Sequence, residues 1–239
     1  ETKVDLSPSD DVLLFVGPHK DLTEEEFDIL SAFLSSGGKA VFLIDNVAVN
    51  PKTGNITVYE GKLPNFTKLL MLHGLKLNRN VIVGENTASM GHDSTRLMVY
   101  ANPHRITKKM LHVPKKRPIL TGASSISIEP VPSGSIKTFP LLVTDKQCYR
   151  KLLKGDSFTM ERQENGERGS FITGVLSEGS GKTILLGTSS IALQEGYSQE
   201  GNRYFLLSAL AYLSDTEMLD IKPKMLIDGV LDLRSTANA

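Results

Sequence analysis

With 239 residues, 40% of them hydrophobic and 23% charged, the chain has the make-up of an ordinary globular protein and the length for one large domain or two small ones. Lysine plus arginine and aspartate plus glutamate each number 27, so no global field draws in nucleic acid or an anionic membrane. The one cysteine, Cys148, excludes an internal disulfide and any multi-cysteine metal site, and leaves the compartment open.

No apolar run approaches the roughly 18 residues that span a bilayer, and no signal peptide is visible. The chain begins at Glu1, with a strand-like Lys3-Val4-Asp5-Leu6 already under way. It reads as a soluble piece of something longer, with membrane anchors on either side left open.

Asp11 to Val16 is a short apolar run ending at Gly17-Pro18, the pattern of a buried parallel strand. Thr23 followed by three glutamates predicts a capped helix start, and Phe27, Leu30, Phe33 and Leu34 recur at helical spacing until Gly37-Gly38. Lys39 to Ile44 is the next buried strand, ending at Asp45-Asn46. Strand, helix, strand in that order is a right-handed crossover unit, so the α/β class is expected.

Val47 to Gly61 reads as a small excursion or hairpin around Ile56-Thr57-Val58-Tyr59. Leu63 to His73 is a helix with Pro64 in its first turn, and Leu75 to Val83 a strand. Gly84 to Pro118 is polar and irregular, with a short helix near Ile106 to Leu111. Strands are then expected at Ile119-Leu120, Ser125–Ile128, Ile136–Val143 and Gly169–Leu176. A last strand, Thr183–Leu186, and a helix capped by Asn202 and running to Leu213 close the unit. Residues 1–220 are thus expected to form one α/β domain, with 221–239 a tail leading elsewhere.

Gly-Ser-Gly-Lys-Thr at 179–183 invites a nucleotide-binding reading. A phosphate-cradling loop requires a further glycine at 176, which is Leu176, and it opens a helix rather than a strand. A hairpin turn explains the glycines better. Gly187-Thr188-Ser189-Ser190 has the strand of a nucleophile elbow but not its second glycine. The five histidines are scattered; none pairs at the i, i+4 spacing of a helical metal site, and His92-Asp93 reads as a solvated loop. Lys108-Lys109 with Lys115-Lys116-Arg117 form a basic cluster without interleaved aromatics, more in keeping with a solvated face or a protein contact than with nucleic acid.

Four stretches, taken in order, resemble the extracytoplasmic domain of the auxiliary subunits of gliding-motility-type (GldG-like) ABC transporters. They are Asp11–Glu26 continuing through Leu34–Asp45; Leu63-Pro64-Asn65-Phe66 with Leu69-Leu70 and His73-Gly74-Leu75; Gly169–Gly187; and Gly201–Leu207 with Tyr212-Leu213 and Ile221–Lys224. Where that family carries Gly-Asp-Ser after its last strand, this chain has Gly187-Thr188-Ser189. The family's Asn and Trp of the last helix are Ser208 and Tyr212 here.

The resemblance implies an open, mostly parallel sheet of flavodoxin-like or glutamine-amidotransferase-like kind, with a β-rich C-terminal portion and without the amidotransferase's catalytic cysteine. It implies a membrane-anchored protein on the extracytoplasmic face of a bacterial membrane, partnered by an ABC permease and ATPase, with no cofactor. The expected function is non-enzymatic: binding a partner protein, a polysaccharide or a small solute on the rim of strand ends. The candidate residues there are Gly17, Pro18, Asp45, Asn46, Thr188, Ser189 and Asn202. Plain turn and cap chemistry accounts for the same residues. The rival readings are a degenerate amidotransferase-like or serine hydrolase using Ser189 or Ser190, and a structural spacer between membrane helices.

Overall fold

Strand β1 (Val12–Val16), helix α1 (Glu24–Ser35) and strand β2 (Lys39–Leu43) form where the hydrophobic pattern places them. A full capping box starts α1: the Glu26 amide donates to Thr23 Oγ1 at 3.2 Å, and the Thr23 amide donates to the Glu26 carboxylate at 2.8 Å. The computed structural model describes residues 6–50, 53, 55–59, 61–84, 94–111, 113, 116–131, 135–153 and 168–216. The expected strand at Lys3–Asp5, the His92-Asp93 loop, Lys115 and the tail at 221–239 lie outside the described residues.

β1 pairs with β2 in parallel, and β2 pairs in parallel with β15 (Lys182–Leu186), with Leu43 in register with both Val16 and Leu186. The remainder of the six-stranded sheet is antiparallel: β15 with β14 (Ile172–Glu178), β14 with β11 (Lys137–Val143), and β11 with β8 (Tyr100–Ala101). The α/β class stands, but the mostly parallel, flavodoxin-like sheet does not. A parallel pair needs a crossover element. Between residues 75 and 193 the described residues offer short 3₁₀ turns, at Lys108–Met110 and at Lys116, and no α-helix. The Gly179–Gly181 turn therefore folds β15 directly back on β14, with the Gly179 amide donating to the Gly181 carbonyl at 2.9 Å. Lys182 and Thr183 are already in β15, paired with Glu178 and Ser177, and Thr183 has no exposed surface, so the Gly-Lys-Thr stretch is the end of a hairpin turn and the start of a strand.

The predicted excursion is a hairpin, β3 (Val47–Val49) with β4 (Ile56–Val58). Helix α2 (Pro64–Leu72) has no side-chain cap of its own; Asp21, from the β1–α1 loop, accepts from the Asn65 and Phe66 amides at 2.8 and 3.1 Å. The single strand expected over 75–83 is two. β5 (Leu75–Leu77) joins β10 (Ile126–Ile128), and β6 (Asn80–Gly84) joins β12 (Cys148–Leu152), itself paired with β13 (Arg168–Gly169). Asn78 breaks the run by donating its amide to the Ser125 carbonyl at 2.9 Å. β7 (Arg96–Met98) pairs with β9 (Ile119–Thr121). Helices α3 (Gln194–Ser198) and α4 (Glu200–Leu213) follow β15.

Alternation along β2 divides the core. Ala40 and Phe42 face α1 and α2, where Phe42 stacks on Phe15 at 4.8 Å and both meet Phe66 edge-on. Val41 and Leu43 face the opposite layer, with Phe205, Ala209 and Leu213 of α4. The sheet is covered on both faces, and its polar chemistry is pushed to the strand ends.

Candidate functional site

Because β1, β2 and β15 are mutually parallel and in register, their C-terminal ends open on the same edge of the sheet. Gly17, Asp45 and Ser189, far apart in sequence, meet there. The Gly17 amide donates to the Leu43 carbonyl at 2.8 Å, and its φ of +56° is a conformation glycine adopts freely. A Cβ at Gly17 would lie 3.2 Å from both Asp45 Oδ2 and Ser189 Oγ, so the glycine lets the β1 turn lie against the other two.

Asp45 is the hub. The Ser189 amide donates to its Oδ1 at 2.7 Å. Burial raises the carboxyl above its ordinary value, offset in part by the Ser189 hydroxyl and amide, by Thr188 and by the nearby His19. His19 packs on Tyr59 with ring centroids 4.7 Å apart, and the Tyr59 phenol is raised by burial and by the Asp45 charge.

Beside this hub lies a cleft of about 640 Å³ between the end of β2, the β4 hairpin and α2. Phe66, Leu70, Met71 and Leu72 supply an apolar wall; Asp45, Tyr59, Lys62 and Arg79 stand at its polar end. Its size and mixed lining suit an apolar group with a polar terminus.

The other candidates have structural employment. Asn46 Nδ2 donates to the Asn78 carbonyl and to Ser124 Oγ, both at 2.9 Å, so its amide ties β2 to a neighbouring layer while the residue still lines the cleft. Thr188, 1% exposed, donates its hydroxyl to the Thr121 carbonyl at 2.8 Å. Ser190 Oγ accepts from the Thr121 amide at 3.0 Å. Among the described residues the Ser189 hydroxyl bonds to Asp45 and the Ser190 hydroxyl to the Thr121 amide, and neither to an imidazole, the base a serine nucleophile needs. Pro18 is partly buried beside Gly17.

Asn202 is not the cap of the last helix. α4 begins at Glu200, after Gln199, and Asn202 is fully buried inside its first turn. Its Oδ1 accepts from the Ile119 amide at 2.7 Å, while Nδ2 donates to the Ile119 carbonyl at 2.8 Å and to the Gly196 carbonyl at 3.0 Å. The side chain pairs with β9 as a strand backbone would. Its donors and acceptor are consumed, and none of these bonds reaches Gly17, Asp45 or Ser189.

Sequence reasoning missed the polar seam under the site. The Ser124 hydroxyl donates to the Asn80 carbonyl at 2.6 Å, and Asn80 closes a pair of bonds with the Ser125 amide and hydroxyl at 2.9 and 2.8 Å. The Ser124 amide donates to the Gly187 carbonyl at 2.8 Å, an approach only glycine permits, since a Cβ there would fall 2.1 Å from the Ser124 carbonyl. The signal was present as Asn78, Asn80, Ser124 and Ser125 interrupting otherwise apolar runs.

Compared with known proteins, the family described as "ABC-type uncharacterized transport system" matches residues 2–189, a span that holds six of the seven candidate residues and ends before Asn202. Among solved structures, the N-terminal domain of mmIFT52 is similar, with a TM-score of 0.59 at 16% identity over 89% of this chain and 79% of that one. At that identity the likeness speaks for the fold. A ThuA-like protein from Bacteroides uniformis matches with a TM-score of 0.45 at 15% identity, over 84% of this chain and 68% of that one. Among curated proteins none matches the sequence.

Proposed function

The chain belongs to the ABC-type transport-system family, and we propose that it serves there as a non-enzymatic auxiliary subunit whose strand-end cleft seats an apolar segment of the permease. In this reading residues 1–220 act as one unit on the extracytoplasmic face, 221–239 lead toward a membrane anchor, and the ATPase is engaged through the permease. The observation that carries it is the 640 Å³ cleft itself, apolar along α2 and closed at one end by Asp45, Tyr59 and Arg79. A rigid floor supports it, because Asp45 locks the β2 and β15 ends together. A catalytic reading gains nothing from that lock, which spends the Ser189 hydroxyl and amide on a carboxylate.

Co-purification from cells tests this. Met71 and Leu72 are 49% and 50% exposed, so Met71→Glu with Leu72→Glu leaves the core intact and should abolish recovery of the permease. Leu152→Glu, on β12 and 48% exposed, should recover it as the unaltered chain does. Equal recovery with both variants overturns the assignment of the cleft. Stoichiometric fluorophosphonate labelling of Ser189 or Ser190 would instead establish the hydrolase.

A further inference from the structure

A second cleft, of about 330 Å³, lies on another face, between the 105–109 segment and the outer side of α4. Around Lys108, Lys109, Lys116 and Arg117 the sequence shows no aromatic residue, but folding brings them from elsewhere. Tyr204, Ser208 and Tyr212 recur every fourth residue and so share one face of α4. Lys116 Nζ stands 4.6 Å from the Tyr204 ring centroid, and Lys182 Nζ stands 4.8 Å from that of Tyr212. The Arg117 guanidinium lies 4.5 Å from the Tyr100 ring.

Charge is concentrated here although the whole chain is formally neutral. Arg105, Lys108 and Lys109 line the cleft against one acid, Asp215, and the nearby Glu178 is engaged by the Tyr212 hydroxyl at 2.6 Å. Lys108 and Lys109 are exposed, and the same stretch presents Val113 and Tyr100, each 38% exposed. Within a Debye length of about 10 Å such a local cluster governs the field, whatever the net charge.

We propose that this face docks on the anionic phospholipid surface of the membrane, its cations meeting headgroup phosphates and Tyr100 and Val113 entering the interface. Interleaved cations and amphipathic rings are what that boundary favours. A nucleic acid would require open ring faces for stacking, and here Tyr100, Tyr204 and Tyr212 each carry a cation over the ring. The proposal goes beyond the reading of the strand-end cleft and does not rest on it.

The test is sedimentation of the full 239-residue chain with vesicles. The expected result is binding to equimolar phosphatidylglycerol and phosphatidylcholine, none to phosphatidylcholine alone, and weakening as salt is raised. Lys108→Gln with Lys109→Gln should lower the partition coefficient by roughly fivefold per cation removed, with an unchanged melting temperature. Lys76→Gln, exposed on β5 in the layer of α1 and α2, should not change it. Failure of the unaltered chain to bind, or equal binding by the double variant, overturns the proposal. So does saturable binding of glycerol phosphate without vesicle binding, which would assign the face to a free anion.

Discussion

If Asn202 fastens α4 to β9, replacing it with serine should be nearly as harmful as replacing it with alanine. Helix capping makes the opposite forecast, because serine and asparagine cap about equally well and alanine costs about 1 kcal/mol. The magnitude follows from what truncation leaves behind. The Ile119 amide, its carbonyl and the Gly196 carbonyl, on two partly buried residues, all lose the fully buried Asn202 side chain as partner. An orphaned buried amide costs about 1–3 kcal/mol, and each carbonyl bond contributes about 0.5–1.5 kcal/mol. The sum is roughly 2–6 kcal/mol for either variant, since a serine hydroxyl is too short to reach both backbone groups. At roughly 2–4 °C per kcal/mol for a domain of this size, melting should fall by roughly 10 °C. Asn202→Asp should be worse as pH rises, because a carboxylate would face the Ile119 and Gly196 carbonyls. Thermal unfolding of the three variants settles it: a serine variant within about 0.5 kcal/mol of the unaltered chain, well above alanine, would refute the strap.

Asp45→Asn keeps an acceptor for the Ser189 amide and removes an ionisable group whose folded pKa is raised, chiefly by burial. A raised carboxyl contributes stability that is present below the unfolded pKa of about 3.9 and is lost as pH climbs through the folded value. The variant lacks that slope, so urea titrations should show its stability improving relative to the unaltered chain from about pH 4 upward; a gap moving the other way contradicts the assigned shift. Thr183→Val removes a buried hydroxyl that has no hydrogen-bond partner among the described residues, and should raise stability by about 1 kcal/mol where a phosphate-site threonine would have shown no gain. Tyr212 is pushed up to about 12 by burial and by its hydrogen bond to Glu178. Spectrophotometric titration should therefore show one of the six tyrosines ionising last, and Tyr212→Phe should delete that final step.

What the sequence disclosed and what it hid divide along the range of the interactions. β1, α1 and β2 were legible because each is set by neighbours a few residues away: an apolar run, a capping box, a pair of glycines. The direction in which β11 and β14 pair was not, since it depends on whether a crossover helix intervenes, and between them the described residues form strands β12 and β13 and no helix. Asn202 shows a different limit. An asparagine at the head of an apolar helix serves equally as a cap or as a strap, and only the partner, Ile119, distinguishes them across 83 positions of sequence.

The strand-end cluster was found for a reason that also bounds it. Once β1 and β2 are read as parallel, and β15 as another strand of the same sheet, the residues after each must gather on one edge if all three run the same way, and Gly17, Asp45 and Ser189 do. Their chemistry is not fixed by that placement. The carboxylate of Asp45 might have faced solvent and stayed an ordinary acid; it is instead held by a residue 144 positions away and desolvated in the process. A buried acid tied to backbone is a clasp first, since any ligand that engaged it would have to displace the Ser189 amide and offer as good a donor in return. For that reason the proposed binding surface is the apolar wall of α2, where nothing has to be broken for a partner to enter, and in that proposal Asp45 holds the floor beneath it.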